Sequence, residues 1–349
     1  MPLKVRFYHS YVRIIAQCSS RFRLISGGLT ENDENKRKIM KILITGVHGF
    51  VGSNLVEALK NAHTIYGLDI ISPQKDGVRF TFSWDFLDKP GEIPEVDAII
   101  HLAGKAHDTK NKSAADVYFK VNTGLTQKIF DWFLAQPSCK KFVFFSTAKA
   151  AADKVDGVLT EDVVPTPVGP YGESKIKAEE YILSKMPADK QVYIFRPCMI
   201  HGPGNKGNLN LLYNVVRKGI PWPLGAFENR RTFTSVENIC FAVNGVLTKD
   251  VASGIYNMGD DEALSTNELI EEICKSLGKK AHIWRLPKGL MNGVAKIGGA
   301  LHLPLNPERL RKLTEDYVSS NAKIKKALGV ERMPVDARKG LQRTLESFK

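Results

Sequence analysis

The stretch that decides the fold is KILITGVHGFVGSNL, residues 41–55. Ile42, Leu43 and Ile44 form a continuous aliphatic run, which is typical of a parallel strand covered on both faces. Three glycines spaced three residues apart follow, and SNLVEALKNA after them has the character of a helix. The sequence therefore predicts a strand, a tight turn and a helix in immediate succession.

Each glycine in this turn has a separate predicted role. Gly46 permits the bend, Gly49 removes the side chain where a ligand comes close, and Gly52 lets the helix pack against the strand. The backbone amides of residues 50–53 would then face an anion, which we interpret as a pyrophosphate. The spacing is G-x-x-G-x-x-G rather than G-x-G-x-x-G. A plain structural turn is the alternative.

A second strand, TIYGLDI, ends in an acidic residue. Asp69 lies 23 residues beyond Gly46, close to the roughly 20 expected for a carboxylate that holds the adenosine ribose hydroxyls. Neither Ile70 nor Ile71 is basic, so nothing beside Asp69 invites a 2′-phosphate. The pattern favours NAD over NADP, with a solvated aspartate at a strand end as the alternative.

Composition limits the class of protein. The 349 residues are 43% hydrophobic and 25% charged, which suits one large or two modest globular domains. Apolar stretches stay well short of the roughly 18 to 20 residues of a membrane span, so we expect no membrane partner. The five cysteines are scattered without metal-ligand spacing, so we expect reduced thiols, no metal site and a cytoplasmic location.

The formal net charge is +13. The basic residues lie among acidic ones rather than in stripes with interleaved aromatics, so we expect no nucleic-acid partner. A mild positive field suits an anionic small substrate.

Strands and helices alternate from residue 40 to about 203, which predicts an α/β fold with a doubly wound, Rossmann-type parallel sheet. We assign 40–203 to this domain and 204–349 to a smaller lobe that binds substrate, with some segments returning to the first domain. Further strands are predicted at 97–104, 141–147, 191–197 and near 254–259, and helices at 116–136, 171–186, 209–218, 265–277 and 336–347.

The pentapeptide YGESK carries the sharpest chemical signal. Tyr171 and Lys175 are four residues apart on a predicted helix, so their side chains share one face. An ammonium near a phenol favours the phenolate and would lower the tyrosine pKa, which suits a general acid or base. The preceding strand ends in FFST, which would bring the hydroxyl of Ser146 or Thr147 beside the tyrosine.

Over roughly residues 40–345 the chain resembles an extended short-chain dehydrogenase/reductase of the NAD-dependent epimerase/dehydratase family, the UDP-glucose 4-epimerases among them. The matching pieces are TGVHGFVG, WDFLD, HLAG, VNTGLT, YGESK, RPCMIHGPG and RRTFTSVENI. The resemblance implies that NAD is held by Gly46, Gly49, Phe50, Val51, Gly52, Asp69, Asp85, Phe86, Leu102, Ala103, Asn122, Ser146, Tyr171 and Lys175.

The same resemblance implies the catalytic roles. Tyr171 moves the proton of a sugar hydroxyl, Lys175 tunes it and holds the nicotinamide ribose, and Thr147 hydrogen-bonds the reacting oxygen. In the alternative interpretation, Thr147 and Tyr171 have only a structural role, at the edge of the core. The implied substrate is a nucleotide-diphosphate sugar, contacted by Thr147, Asn208, Trp222 and Arg231.

Two of the substrate assignments have alternatives. Arg231 occupies the place of an arginine against the nucleotide diphosphate, a role that Arg230 could take instead. Trp222 either stacks on a uracil-type base or is a buried structural residue.

Departures from the family pattern bear on the reaction. Sugar 4,6-dehydratases carry an Asp-Glu pair after the catalytic threonine, whereas Ala148 and Lys149 stand here, so dehydration is not expected. A family Tyr-Gly pair is replaced by alanines at 151–152, and Met199 and His201 replace an asparagine and a tyrosine. The histidines are interpreted as packing or loop residues: His48, His101, His107 and His201.

Together these features predict a nucleotide-sugar 4-epimerase similar to the UDP-hexose enzymes. The alternative is a reductase of nucleotide 4-keto-6-deoxy sugars, which uses the same residues but consumes reduced cofactor. A third hypothesis, from another class, is a catalytically silent NAD-binding regulatory protein. The resemblance also implies a homodimer built on the helices near 116–136 and 171–185.

Residues 1–39 form a predicted N-terminal extension. They carry five Lys/Arg and no acid before Glu31, and they precede Met40, which stands directly before the first strand. A targeting presequence is one interpretation. We favour a disordered or non-native extension with Met40 as the working start, because chains of this family open a residue or two before their first strand.

Overall fold

The structure is a computed structural model that describes residues 39–106, 114–205, 207–301 and 305–349. The predicted extension, apart from Ile39, lies outside the described residues, and so do Cys18 and His107.

A seven-stranded sheet forms the centre of the larger part of the molecule. The described residues form eleven strands, of which seven belong to this sheet. The eleven are β1 Lys41–Thr45, β2 Thr64–Leu68, β3 Phe80–Phe82, β4 Ala98–His101, β5 Lys141–Phe145, β6 Val158–Leu159, β7 Gln191–Pro197, β8 Met199–His201, β9 Phe233–Ser235, β10 Gly254–Met258 and β11 Val318–Ser319. The large sheet has the order β10-β7-β5-β4-β1-β2-β3 and is parallel throughout. Strands β2 and β3 are added on one side of β1 and the later strands of the sheet on the other side, beginning with β4. A doubly wound fold has its binding crevice at this switch point, between β1 and β4.

Helices cover both faces of this sheet and build the second lobe. They are α1 Phe50–Leu59, α2 Ala115–Tyr118, α3 Leu125–Ala135, α4 Ala148–Ala151, α5 Pro170–Ser184, α6 Asn208–Arg217, α7 Val236–Thr248, α8 Thr266–Ser276, α9 Lys288–Ala300, α10 Pro307–Thr314, α11 Ala322–Leu328 and α12 Ala337–Glu346. A π-helical turn, Phe119–Gly124, joins α2 to α3, and a 3-10 helix spans Trp84–Asp88.

Two-sided burial explains the apolar run in β1. Ile42 and Ile44 pack with α1 and α7 on one face, while Leu43 packs with α3 and α5 on the other. All three side chains are fully buried. The predicted Rossmann-type sheet is therefore confirmed, and the strand opening at residue 41 has the two-sided coverage expected from its sequence.

The second lobe has its own core, formed where α6, α8, α9, α10 and α12 meet. Its buried side chains include Leu209, Tyr213, Leu224, Ile273 and Leu341. Beyond the predicted boundary at residue 203, segments 236–258 and 322–328 return to the larger part, where α7 and α11 pack on the sheet and β10 forms its edge.

Sequence analysis did not predict α7. This helix buries nine of its 13 residues, so it is apolar on most sides. A helix of that kind lacks the polar face that produces a 3.6-residue pattern, which is why its sequence gave no clear signal.

The turn after β1 shows why its glycines are required. Gly46 has φ +68° and lies under the backbone of Ala103. A Cβ on Gly52 would lie 2.4 Å from the Gly46 carbonyl oxygen and 2.9 Å from Val47 Cα. Backbone atoms cannot move aside cheaply, so α1 can start here only with glycine at position 52.

We expect Gly52→Ala to lower the free energy of unfolding by roughly 1 to 3 kcal/mol, the usual cost of overpacking. The added methyl group would also displace the first turn of α1 and weaken NAD binding. Urea denaturation and NAD titration measure the two effects. Gly293→Ala is the control, because Gly293 lies within α9 with open space at its Cβ. Equal stability of the two variants would contradict the packing argument.

Candidate active site

The first turn of α1 presents its amides at the end of β1. The Ser53 amide donates to the Gly49 carbonyl at 2.9 Å and is the first to bond within the helix. The amides of Phe50, Val51 and Gly52 precede it and are the groups that a helix leaves for capping or for an anion. The geometry suits a phosphate group above the turn.

A buried hydrogen-bond chain ties the loop after β4 to this turn. Thr45 Oγ1 accepts from the amides of Leu102 and Ala103 at 3.1 and 2.9 Å and lies 2.7 Å from His101 Nδ1. His101 Nε2 lies 2.9 Å from Thr126 Oγ1. Since Thr126 donates its own proton to the Asn122 carbonyl, His101 Nε2–H must be the donor to Thr126.

His101 is thus a neutral packing residue. Burial lowers its pKa well below the ordinary value, and the charge of Lys175 lowers it further. Its role is to hold the loop that carries Leu102 and Ala103 beside Gly46.

Asp69 follows β2 at the same edge of the sheet. Its carboxylate accepts from the amides of His48 and Ile70 at 3.0 and 2.8 Å, and its side chain is only 13% exposed. These bonds hold the carboxylate at the end of the strand, where the sequence predicts the ribose hydroxyls. Ile70 and Ile71 point into solvent.

Sequence analysis did not place two basic residues, His48 and Lys75, beside Asp69. His48 Nδ1 lies 3.2 Å from the Asp69 carboxylate, and its Nε2 lies 3.2 Å from the Pro73 carbonyl. Lys75 donates to Ser53 Oγ at 2.9 Å; burial lowers its pKa, and the charge of Asp69 partly offsets this. Only the residues directly after Asp69 were weighed in the sequence, and neither His48 nor Lys75 is among them.

The catalytic residues predicted from YGESK meet at the end of β5. Thr147, which caps α4, is hydrogen-bonded to the phenol of Tyr171 near the start of α5. Lys175, one turn further along α5, is buried; its Nζ donates to the Phe145 carbonyl at 2.8 Å and lies 4.9 Å from the Phe144 ring centroid. The fold thus places the three predicted side chains around one strand end.

The pKa of Tyr171 differs from the expectation. Burial raises it, the hydrogen bond with Thr147 lowers it, and the neighbouring Tyr118 raises it, with burial the largest effect. We expected Lys175 to lower the pKa of Tyr171. This prediction was wrong, because the Lys175 ammonium donates to the Phe145 carbonyl instead. Burial lowers the pKa of Lys175 itself to about 8, against a smaller opposing effect of Glu179.

A pH prediction follows from Lys175. Its ammonium is lost as the pH rises through about 8, so the charge that is proposed to hold the nicotinamide ribose disappears above that pH. We expect kcat/KM to fall by up to about tenfold per pH unit on the alkaline side. In Lys175→Arg, whose guanidinium stays charged, activity should be lower but this alkaline limb should vanish. Superimposable pH profiles for the two proteins would contradict the assignment.

A buried ion pair, which sequence analysis missed, lies under the catalytic residues. Glu179 on α5 and Arg196 on β7 are 0% and 2% exposed and are joined by three hydrogen bonds of 2.6 to 3.1 Å. Ser146 gives its hydroxyl proton to Glu179, and its contact with the cofactor stays a prediction. The pair therefore fastens the residue before Thr147 to the helix that carries Tyr171.

Asn122 is fully buried in the π-helical turn. Its Oδ1 accepts from the Lys105 amide at 2.7 Å, and its Nδ2 donates to the Lys105 carbonyl and to Ser174 Oγ at 3.2 and 3.0 Å. The side chain thus links the loop after β4 to α5, and π-helical turns are frequent at functional sites. A cofactor contact of Asn122 stays a prediction.

Asp85 and Phe86 lie in the 3-10 helix after β3. The Asp85 carboxylate pairs with Lys89 at 2.8 Å and accepts from Ser83; chiefly because of Lys89, the pKa of Asp85 falls to about 2. Phe86 packs against Phe82 at 5.4 Å between ring centroids. Their predicted place near the adenine stays a prediction.

The predicted substrate residues outside the catalytic cluster lie in the second lobe. Asn208 is exposed at the start of α6. Trp222 is 9% exposed within the lobe core, and its Nε1 donates to Asn267 at 3.1 Å. The structure therefore favours the structural alternative for Trp222.

Arg231 is half-buried in the second lobe, next to α10. Its guanidinium donates to the Lys312 carbonyl, and burial lowers its pKa against the opposing charge of Glu315. The Arg230 amide donates to Asp316 at 2.6 Å, while the Arg230 side chain is exposed. The guanidinium that is held in place is thus that of Arg231.

The two residues after Thr147 carry no acid. Ala148 is buried, and Lys149 Nζ donates to the Asp153 carbonyl and carboxylate at 2.7 and 2.9 Å. Lys149 Nζ is thereby held by Asp153, and it lies 4.7 Å from the Tyr317 ring centroid. This arrangement offers no carboxyl pair for elimination of water at these two positions.

The described residues lack a cluster of three or more His, Cys, Asp or Glu side chains that could hold a metal ion. Within the same ranges, none of the helices has the length and apolar character needed to cross a bilayer.

Known proteins identify the family. The model of the NAD dependent epimerase/dehydratase family matches residues 42–259. A UDP-glucose 4-epimerase from Vibrio cholerae is 31% identical over 268 residues, 72% of this chain and 80% of that protein. A GDP-6-deoxy-D-mannose reductase from Pseudomonas aeruginosa is 26% identical over 250 residues, 66% and 78% of the two chains.

A solved structure shows the same fold. The UDP-glucuronic acid 4-epimerase from Bacillus cereus, in complex with NAD, superposes with a TM-score of 0.69 at 21% identity, covering 89% of this chain and 96% of that one. With the glycine turn, the acidic end of β2 and the Thr-Tyr-Lys cluster, the family match is consistent in sequence and in architecture. The chain belongs to the NAD-dependent epimerase/dehydratase family.

Proposed function

We propose that this protein is a nucleotide-sugar 4-epimerase similar to the UDP-hexose enzymes. The observation that carries the proposal is that Thr147 and Tyr171 are hydrogen-bonded to each other, with Lys175 one turn along the helix. Acid-base chemistry on a hydroxyl is available there, whereas Ala148 and Lys149 supply no elimination pair.

The residues at the head of the crevice fit NAD. The turn at Gly46 and Gly52 leaves no room for a Cβ because protein backbone packs against both positions, and the α1 amides suit a pyrophosphate. Asp69, held by two amides, suits the ribose hydroxyls. NAD, when bound, supplies the acceptor and donor of a hydride at the sugar carbon.

Tyr171 would handle the proton of the C4 hydroxyl. Its phenolate accepts this proton as the hydroxyl becomes a carbonyl and returns it when the hydroxyl re-forms on the other face of the sugar. Thr147 hydrogen-bonds the reacting oxygen, and Lys175 is proposed to hold the nicotinamide ribose. Asn208 and Arg231 are proposed to contact the nucleotide diphosphate.

Reduction of a nucleotide 4-keto-6-deoxy sugar is the second candidate. The Pseudomonas aeruginosa relative, named as a reductase of a GDP-linked deoxy sugar, favours it. The same Tyr171 would then donate its proton to the oxygen of the substrate carbonyl. The two reactions differ in whether reduced cofactor is consumed.

The purified protein should be incubated with UDP-hexoses without added cofactor, and separately with a nucleotide 4-keto-6-deoxy sugar plus NADH. We expect interconversion of the C4 epimers, followed by NMR, with no net change in the absorbance of reduced nicotinamide. Stoichiometric loss of NADH on the keto sugar, with no epimerisation, would establish the reductase. If no nucleotide sugar reacts, and if the Tyr171→Phe variant still performs the protein's biological role, the results would support a catalytically silent NAD-binding protein.

We also propose a cytoplasmic homodimer. Cys139, Cys198, Cys240 and Cys274 are free and buried, which agrees with a reducing compartment. Burial raises the pKa values of Cys139 and Cys198 to about 12, so these two are inert thiols. The proposed dimer contact involves α3 and α5.

A further inference from the structure

One helix of the second lobe exposes an apolar stripe. Helix α9 buries Met291, Ala295 and Gly298 against the lobe, as an amphipathic helix should. Beside that buried face it exposes a second apolar set, at Leu290 (55%), Val294 (44%), Ile297 (61%) and, just after the helix, Leu301 (64%).

These exposed residues lie next to one another along the helix and are not scattered over its surface. Their spacing of four, three and four residues places them on one side of the helix over about three turns, roughly 16 Å. Isolated exposed leucines are ordinary, whereas a contiguous apolar stripe marks a surface that something covers.

The charge of the surrounding chain indicates what covers it. Residues 273–307 contain no Asp or Glu, and they contain six Lys/Arg: Lys275, Lys279, Lys280, Arg285, Lys288 and Lys296. The formal charge of this segment is therefore entirely positive. Its covering surface must therefore tolerate or prefer positive charge.

Just before α9, Trp284 is 54% exposed beside the exposed Arg285. Shortly before Trp284, the side chains of Lys280 and His282 line a groove together with the apolar Ile220. Exposed tryptophan and aliphatic residues flanked by lysine and arginine are the composition of a segment that lies in a lipid interface.

We propose that α9 and the residues leading into it bind the surface of an anionic lipid bilayer. Leu290, Val294, Ile297 and Leu301 enter the boundary between headgroups and acyl chains, and Lys288 and Lys296 contact acidic headgroups. The sequence-based expectation of no membrane partner rested on the length of apolar runs, and a helix lying on a surface needs no spanning run.

A second copy of this chain fits the surface less well. A two-fold contact through α9 would place each acid-free segment against its own equivalent, with like charges facing each other. A bilayer carrying negative headgroups has the opposite charge and also accepts the apolar stripe.

The test is sedimentation of the full-length protein with phosphatidylcholine vesicles and with vesicles containing phosphatidylglycerol. We expect binding only to the anionic vesicles, weakened by salt and accompanied by a blue shift of tryptophan fluorescence. Leu290→Gln combined with Ile297→Gln should weaken binding roughly tenfold or more, and Lys288→Glu combined with Lys296→Glu should weaken it further. Val164→Gln, at a 79% exposed valine outside the second lobe, is the matched control.

Three results would overturn the proposal: no binding of the wild-type protein to anionic vesicles, equal binding by the wild-type and stripe variants, or a wild-type oligomer that the stripe variants dissociate without any lipid binding. The last would show that a second copy covers the stripe. Because no readout is enzymatic, failure here leaves the proposed epimerase activity untouched, and failure of that activity leaves this test intact.

Discussion

Tyr171→Phe is expected to lower kcat by about 10³-fold, because general acid-base groups contribute 10² to 10⁴. The ring is retained, so its T-shaped contact with Tyr118, 6.4 Å between centroids, is preserved. Only the hydroxyl that accepts and returns the proton is lost. The free energy of unfolding should therefore stay close to the wild-type value.

Tyr181→Phe is the matched control. Tyr181 lies on the same helix, but its hydroxyl donates to Asp131 at the surface, at 2.6 and 2.7 Å. This variant should keep nearly full activity. Steady-state rates with the best nucleotide sugar compare the two, and an active Tyr171→Phe enzyme would rule out Tyr171 as the acid-base group.

Glu179→Gln is expected to cause the largest loss of stability, roughly 3 to 5 kcal/mol, the usual cost of breaking a buried ion pair from one side. It leaves the Arg196 guanidinium charged and 2% exposed, with Nη1 already lacking a hydrogen-bond partner. Urea denaturation measures the loss. A double variant, Glu179→Leu with Arg196→Met, should recover most of it, because no unpaired charge remains.

Glu308→Gln serves as the control for that experiment. Glu308 pairs with Lys312 on α10 at 2.7 Å, with side chains 58% and 43% exposed, and exposed pairs contribute about 0 to 1 kcal/mol. If Glu179→Gln costs no more than Glu308→Gln, the buried pair does not stabilise the catalytic scaffold.

Local spacing explains what could be predicted from sequence. The aliphatic run of β1, the close approach at Gly52 and the shared helix face of Tyr171 and Lys175 each depend on residues a few positions apart. Their geometry is set by the strand and helix periods alone. Those features were accordingly predicted at the right residues.

Contacts between distant segments explain what could not. Arg196 meets Glu179 only because β7 lies beside β5 under α5, and His48 meets Asp69 only because β2 lies beside β1. One signal was available: Glu179 lies four residues after Lys175, on the same helix face, and an acid on a buried face needs a partner. The sequence has no signal for the hydrogen bond from the Lys175 ammonium to the Phe145 carbonyl. The expected pKa of Tyr171 was therefore wrong.

Trp222 illustrates a different difficulty. An aromatic residue in a Pro-rich segment is compatible with stacking on a base or with packing in a core. Only the arrangement of α6 and α8 around it, with Asn267 accepting from its indole, decides between them.

The most direct test of the central claim follows deuterium at C4 of the sugar. A UDP-hexose labelled with deuterium at C4 is converted in ordinary water by the protein as purified, and the product is examined by NMR. The account predicts the epimer with its deuterium still at C4, since the hydride leaves and returns without exchange with solvent while Tyr171 handles only the hydroxyl proton. Epimerised product in which C4 carries hydrogen from water would contradict it.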